Sequence, residues 1–163
     1  MLGGARSGKS AFAERLVREA SARRAYVATA QAFDDEMQER IRRHREDRGD
    51  GWTTIEEPLD LAGALAKAAE GGAGATLVDC LTLWVTNLMM ADCDCDRAAD
   101  ALLEGLPPGG TVVFVSNEVG GGIVPMDPMS RAFRDHAGRL HQALAARADE
   151  VYLVTAGLAQ RLK

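Results

Sequence analysis

The chain has 163 residues, 47% of them apolar and 26% charged, a globular composition with room for one sizeable core and one domain over residues 1–163. Its formal net charge of −5 excludes the basic surface that nucleic-acid binding needs to displace counterions. The apolar runs are too short to span a membrane, and Cys80, Cys93 and Cys95 fit neither a disulfide framework nor a four-ligand zinc site.

The first predicted element is a turn opening a helix, Gly3-Gly4-Ala5-Arg6-Ser7-Gly8-Lys9-Ser10. Gly3, Gly8, Lys9 and Ser10 match the spacing G-x4-G-K-S of a phosphate loop. Glycines there let backbone N–H groups turn inward as an anion nest. The helix that starts near Lys9 offers its positive end to phosphate. Lys9 adds a point charge on the β- and γ-phosphates, and the Ser10 hydroxyl is a Mg²⁺ ligand. The bland alternative is a chance glycine-rich turn. Only Met1-Leu2 precede the loop, so no signal peptide is read, a cytoplasmic chain with reduced thiols is expected, and the strand running into Gly3 is expected to be stunted.

Helix is expected next over residues 9–20, then a buried strand over 25–28. Residues 34–45 read as a helix, acidic at its start and basic at its end, which suits the helix dipole. Glu36–Arg40 and Glu39–Arg43 are i,i+4 pairs on it. His44 near its end has two readings. It is either a favourable C-terminal residue of a solvated helix or a nucleophile toward phosphorus, with arginine neighbours binding anionic oxygens.

Further along, 59–69 reads as an alanine-rich helix, 76–78 as a strand, 112–115 as a strand, 130–148 as a long amphipathic helix and 151–154 as a strand. The strand runs are continuously apolar, as expected for strands covered on both faces. Gly71-Gly72-Ala73-Gly74, Pro107-Pro108-Gly109-Gly110 and Gly120-Gly121-Gly122 punctuate them. Strands alternating with helices predict an α/β fold with a mostly parallel sheet flanked by helices. Asp79 follows the 76–78 strand and is either a helix cap or, with the loop present, a partner for Mg²⁺ through water. His136 and His141 fall on the last helix and read as structural or surface residues.

Several segments in order resemble one family. The loop is followed by Tyr26-Val27-Ala28-Thr29-Ala30-Gln31, Asp34-Asp35-Glu36-Met37, Arg40-Ile41-x-x-His44-Arg45 and Trp52-x-Thr54-x-Glu56-Glu57-Pro58. Then come Asp79-Cys80-Leu81-Thr82, Val85-Thr86-Asn87-Leu88, Ser116-Asn117-Glu118-Val119-Gly120, Gly122-Ile123-Val124-Pro125 and Arg131-x-Phe133-Arg134-Asp135-x-Ala137-Gly138-Arg139. Over nearly its whole length the chain resembles the bifunctional adenosylcobinamide kinase / adenosylcobinamide-phosphate guanylyltransferases of cobalamin biosynthesis.

The resemblance implies a P-loop, RecA-like sheet and a homotrimer. It implies phosphorylation of adenosylcobinamide, a corrinoid, with ATP or GTP, then transfer of GMP from GTP through a phosphoramidate on a histidine. His44 matches that histidine, and the phosphate loop maps to Gly3, Gly4, Ala5, Arg6, Ser7, Gly8, Lys9 and Ser10. Further nucleotide contacts carry over to Thr29, Ala30, Gln31, Asp47, Arg48, Gly49, Asp50, Glu56 and Asp79, with Ser10 and Asp79 on the metal. Against the family pattern the stretch between Asn87 and Pro107 is short, and a surface helix there is expected to be trimmed. Two rival functions share the loop: a P-loop small-molecule kinase without nucleotidyl transfer, and a non-catalytic nucleotide-binding protein.

Overall fold

The computed structural model describes residues 1–31 and 49–163. In chain order the elements are β1 (Leu2–Gly3), α1 (Lys9–Ala20), β2 (Arg24–Ala28), β3 (Trp52–Glu56), α2 (Leu61–Glu70), β4 (Ala75–Asp79), α3 (Leu81–Met90), α4 (Cys95–Glu104), β5 (Thr111–Asn117), α5 (Pro128–Arg147), β6 (Tyr152–Thr155) and β7 (Leu158–Arg161). The strands form one sheet in the order β3-β2-β4-β5-β1-β6-β7. Every neighbouring pair is parallel except β6 and β7, which are antiparallel. The fold is therefore α/β with a mostly parallel sheet, as the alternating pattern predicts.

Each sheet face has its own core, which is why the strands are apolar throughout. On one face Ala13 and Val17 of α1 pack with Tyr26, Ala28, Leu77, Val113 and Val115. On the other, Leu61 and Leu65 of α2, Trp84 and Leu88 of α3, Leu102 of α4 and Leu140 of α5 pack with Val27 and Val78, and Phe114 joins them. Successive strand residues thus point to opposite cores, the period of an extended chain. The helices start on local signals. Asp60 accepts from Gly63 N–H at 2.9 Å to cap α2, Asp94 caps α4, and Asp127 with Pro128 opens α5.

The helices expected over 9–20, 59–69 and 130–148 are α1, α2 and α5, and the four expected strands fall within β2, β4, β5 and β6, with Val151 just ahead of the last. The helix expected over 34–45 lies outside the described residues. The stretch where a trimmed helix is expected holds α4, ten residues long. Asp94 nucleates it by accepting from Asp96 and Arg97 N–H, and it buries Cys95 and Leu102.

The strand leading into the phosphate loop is as short as expected, two residues, and it is nevertheless seated. Leu2 and Gly3 pair with Ser116 and Asn117 of β5 on one side and with Leu153 and Val154 of β6 on the other. The Met1 ammonium donates to Phe114 O at 2.8 Å, and Met1 O accepts from Ser116 N–H at 2.9 Å. Burial lowers that ammonium to about 6. Ahead of β1 a cavity of about 470 Å³ is lined by Met1, Val112, Phe114, His141, Leu144 and Tyr152.

Candidate phosphate-binding site

Parallel strands all end at the same edge, and in open α/β sheets ligands bind there. Here that edge carries Gly3 at the end of β1, Thr29 after β2, Glu56 at the end of β3, Asp79 at the end of β4 and Asn117 at the end of β5. β5 lies between β1 and β4, so the loop and Asp79 are about 10 Å apart across two strand spacings. That gap fits a phosphate chain.

The loop is shaped by its glycines. A Cβ on Gly3 would stand 2.5 Å from Val154 O and 2.6 Å from Ser7 Oγ. Gly8 has φ +93° and caps α1 in the left-handed region, which side chains disfavour. Ser7 N–H donates to Gly4 O at 3.3 Å, and the Gly157 amide in the β6–β7 turn donates to Ser7 O at 2.8 Å. Lys9 is 9% exposed, and its Nζ donates to Gly4 O at 3.1 Å. Ser7 Oγ is buried with no hydrogen-bond partner among the described residues. A buried ammonium and a spare hydroxyl on a loop at a helix N-terminus form a receptor for an anion.

Beside the loop a belt of polar side chains ties the strand ends together. Thr29 Oγ1 donates to Cys80 O at 2.8 Å and accepts from Cys80 N–H at 2.9 Å, next to the cis Asp79–Cys80 peptide. Asn117 Nδ2 donates to Thr82 Oγ1 at 2.9 Å, and Thr82 Oγ1 lies 3.1 Å from Cys80 Sγ. Asn87 Nδ2 donates to Thr29 O at 2.8 Å and to Pro58 O at 3.1 Å. Burial pushes the Cys80 thiol up, against the pull of its Thr82 hydrogen bond, so it stays protonated near neutrality. Glu118 N–H donates to Gly3 O at 3.0 Å.

The edge brings together Gly3, Gly4, Ala5, Arg6, Ser7, Gly8, Lys9 and Ser10 with Thr29, Ala30, Gln31, Glu56 and Asp79. It does not bring Gly49 and Asp50 to them. These residues lead into the amino end of β3, where Asp50 O accepts from Arg24 Nη2 at 3.1 Å at the opposite edge of the sheet. His44, Asp47 and Arg48 lie outside the described residues. Asn87, Asn117 and the Gly157 turn were not picked out as site residues by sequence reasoning. Asn87 and Asn117 stand in quoted motifs, but only the folded sheet sets them beside the loop.

Among the described residues no group of three or more His, Cys, Asp or Glu side chains could hold a metal ion on its own. No helix is long and apolar enough to cross a membrane.

Residues 1–162 match the family model described as cobinamide kinase / cobinamide phosphate guanyltransferase. The chain belongs to that family. A bifunctional adenosylcobalamin biosynthesis protein CobP of Pseudomonas aeruginosa is 51% identical over 166 residues, covering 100% of this chain and 95% of the relative. Bifunctional adenosylcobalamin biosynthesis proteins CobU of Escherichia coli and Salmonella typhimurium are each 41% identical, covering 99% of this chain and 97% of theirs. As a member of the cobinamide kinase / guanyltransferase family, the protein is a bifunctional enzyme of cobalamin biosynthesis. The family match over residues 1–162 favours the bifunctional reading over both rivals, the kinase without nucleotidyl transfer and the inactive binder.

Proposed function

We propose that this one-domain enzyme runs both reactions at the carboxyl edge of its sheet, with the loop from Gly3 to Ser10 as the shared phosphate grip. The carrying observation is Lys9, held out of water beside Gly4 O at the start of α1. Thr29, Ala30, Gln31 and Glu56, at the ends of β2 and β3, supply the remaining nucleotide contacts. Gly49 and Asp50 are left out of the site because they approach the other edge of the sheet.

In the kinase step the cobinamide hydroxyl oxygen attacks the γ-phosphorus of ATP or GTP in line. The bond to the β–γ bridging oxygen breaks, the nucleoside diphosphate leaves and the hydroxyl proton departs. Lys9 and the loop amides hold the charge that moves onto the leaving oxygen. In the second step an imidazole nitrogen of His44 attacks the α-phosphorus of GTP. An N–P bond forms, the α–β bridging bond breaks and pyrophosphate leaves into the loop. A phosphate oxygen of cobinamide phosphate then attacks the phosphoramidate, the N–P bond breaks and neutral His44 is regenerated.

A hydroxyl and a carboxylate are few and hard donors, which suits magnesium, an ion that keeps several waters and leans on substrate phosphates. Ser10 Oγ and an Asp79 oxygen would hold it, and its chemistry there is to neutralise phosphate oxygens. The chain's free thiols support a cytoplasmic enzyme, and the family resemblance implies a homotrimer.

Incubation with GTP labelled at the α-phosphorus should leave acid-labile, alkali-stable label on the protein. His44→Ala should abolish the label and spare cobinamide phosphorylation. Label persisting in that variant removes His44 from the mechanism.

A further inference from the structure

The chain that leaves β5 carries apolar side chains for which phosphate chemistry has no use. The segment starts beside the loop, since Glu118 N–H is bonded to Gly3 O. Its backbone is pinned at several points. The Glu118 carboxylate accepts from Gly120 N–H at 2.9 Å and from Gly121 N–H at 3.2 Å. Arg134 donates to Gly120 O, and Arg131 Nη1 donates to Pro125 O at 3.0 Å and to Met126 O. A segment fixed in this way still presents Ile123 at 97% exposure, Met126 at 96%, Val124 at 63% and Met129 at 52%. Isolated exposed apolar residues are ordinary, but a cluster on a fixed loop marks a binding surface.

We infer that Ile123, Val124, Met126 and Met129 form the platform on which the corrin ring rests while the arm bearing the hydroxyl or phosphate reaches the phosphate loop. This rests on the cobinamide reading above. Two observations choose the occupant. From Val119 to Ser130 the one charged residue is Asp127, which caps α5, and Arg131 and Arg134 direct donors to the segment's own carbonyls, so the face presented by the four side chains is apolar and suits an apolar ligand face better than a triphosphate. Ile123 is five residues beyond Glu118, so it lies within about 18 Å of the loop-bonded amide even if fully extended, and the arginine anchors fold it closer. A corrin ring offers broad, methyl-bearing faces fringed with amides. Methionine adapts to such a surface.

The test is the double variant Ile123→Ser with Met126→Ser in the full chain. Both residues are exposed, so folding is spared. Steady-state kinase assays should show the KM for cobinamide rising about tenfold or more, with the KM for the nucleoside triphosphate, GMP labelling and the sedimentation mass unchanged. An unchanged KM for cobinamide overturns the inference. A lower sedimentation mass, with or without a KM change, also overturns it and marks a contact between copies. If the His44 reading fails, label persists in His44→Ala or is absent from the unsubstituted enzyme, and the kinase KM still decides the platform.

Discussion

Lys9 is 9% exposed as a residue, and its Nζ donates to the Gly4 carbonyl at 3.1 Å. Among the described residues that carbonyl is the ammonium's one hydrogen-bond partner, weak compensation for a largely buried charge, so an incoming phosphate gains an interaction the protein has already desolvated. Lys9→Met keeps most of the apolar stem and removes the charge. Cobinamide phosphorylation should fall by about 10²–10³-fold, the usual cost of one charge-stabilising group, while circular dichroism shows an intact fold. A rate near that of the parent enzyme would show that the ammonium is a bystander. The loop glycines differ in what they tolerate. Gly3→Ala places a methyl 2.5 Å from Val154 O, a backbone atom that moves only with β6, whereas a methyl on Gly4 meets nothing within 4 Å. Denaturant titration should show Gly3→Ala less stable by about 1–3 kcal/mol and Gly4→Ala close to the parent.

At the scale of elements, α3 does more than cover the sheet. Its Asn87 amide holds Thr29 O and Pro58 O, so one side chain fixes the segments that follow β2 and β3. Removing it leaves two partly buried carbonyls without that donor, a loss of about 1–3 kcal/mol. Asn87→Ala should therefore raise the KM for GTP severalfold while kcat changes little, because the base-side segments loosen and the phosphate grip does not. Equal losses in kcat and unchanged KM would rule out this positioning role. The same scale shows what the sequence could tell. α1 was legible to its ends because a glycine-rich loop starts it and apolar residues recur along one side. β3 was not read as a strand, since Trp52-Thr53-Thr54-Ile55-Glu56 is an edge strand of mixed polarity whose pairing with β2 is a tertiary fact. β7 is short and mostly exposed and gave no periodic signal. α4 was missed because a helix started by Asp94 on a mainly polar surface segment has little to distinguish it from a loop.

For the whole molecule, the strand order places β1 between β5 and β6, so residues far apart in sequence meet around the loop. His141 of α5 reflects that assembly: its Nε2 lies 2.7 Å from Ser116 Oγ of β5. Burial depresses its pKa from 6.5, and the Glu118 carboxylate opposes the shift. The unfolded chain then binds a proton that the folded chain resists, so stability is full above 6.5 and is lost as pH falls below it. Thermal melts at about pH 7.5 and about pH 5.5 should show a larger drop in Tm for the parent than for His141→Gln, which offers Ser116 a partner and does not titrate. Equal drops would place the acid sensitivity elsewhere. The site was legible in proportion to how local it is: the loop and Asp79 could be read from spacing, while the Thr29–Cys80 and Asn87 bonds arise only when the strands align. One bond reaches further. Because the Gly157 amide donates to Ser7 O, the β6–β7 hairpin opens less often whenever a ligand stiffens the loop. Amide hydrogen exchange at Leu158–Arg161 should therefore slow as nucleotide saturates the loop, a remote gauge of occupancy.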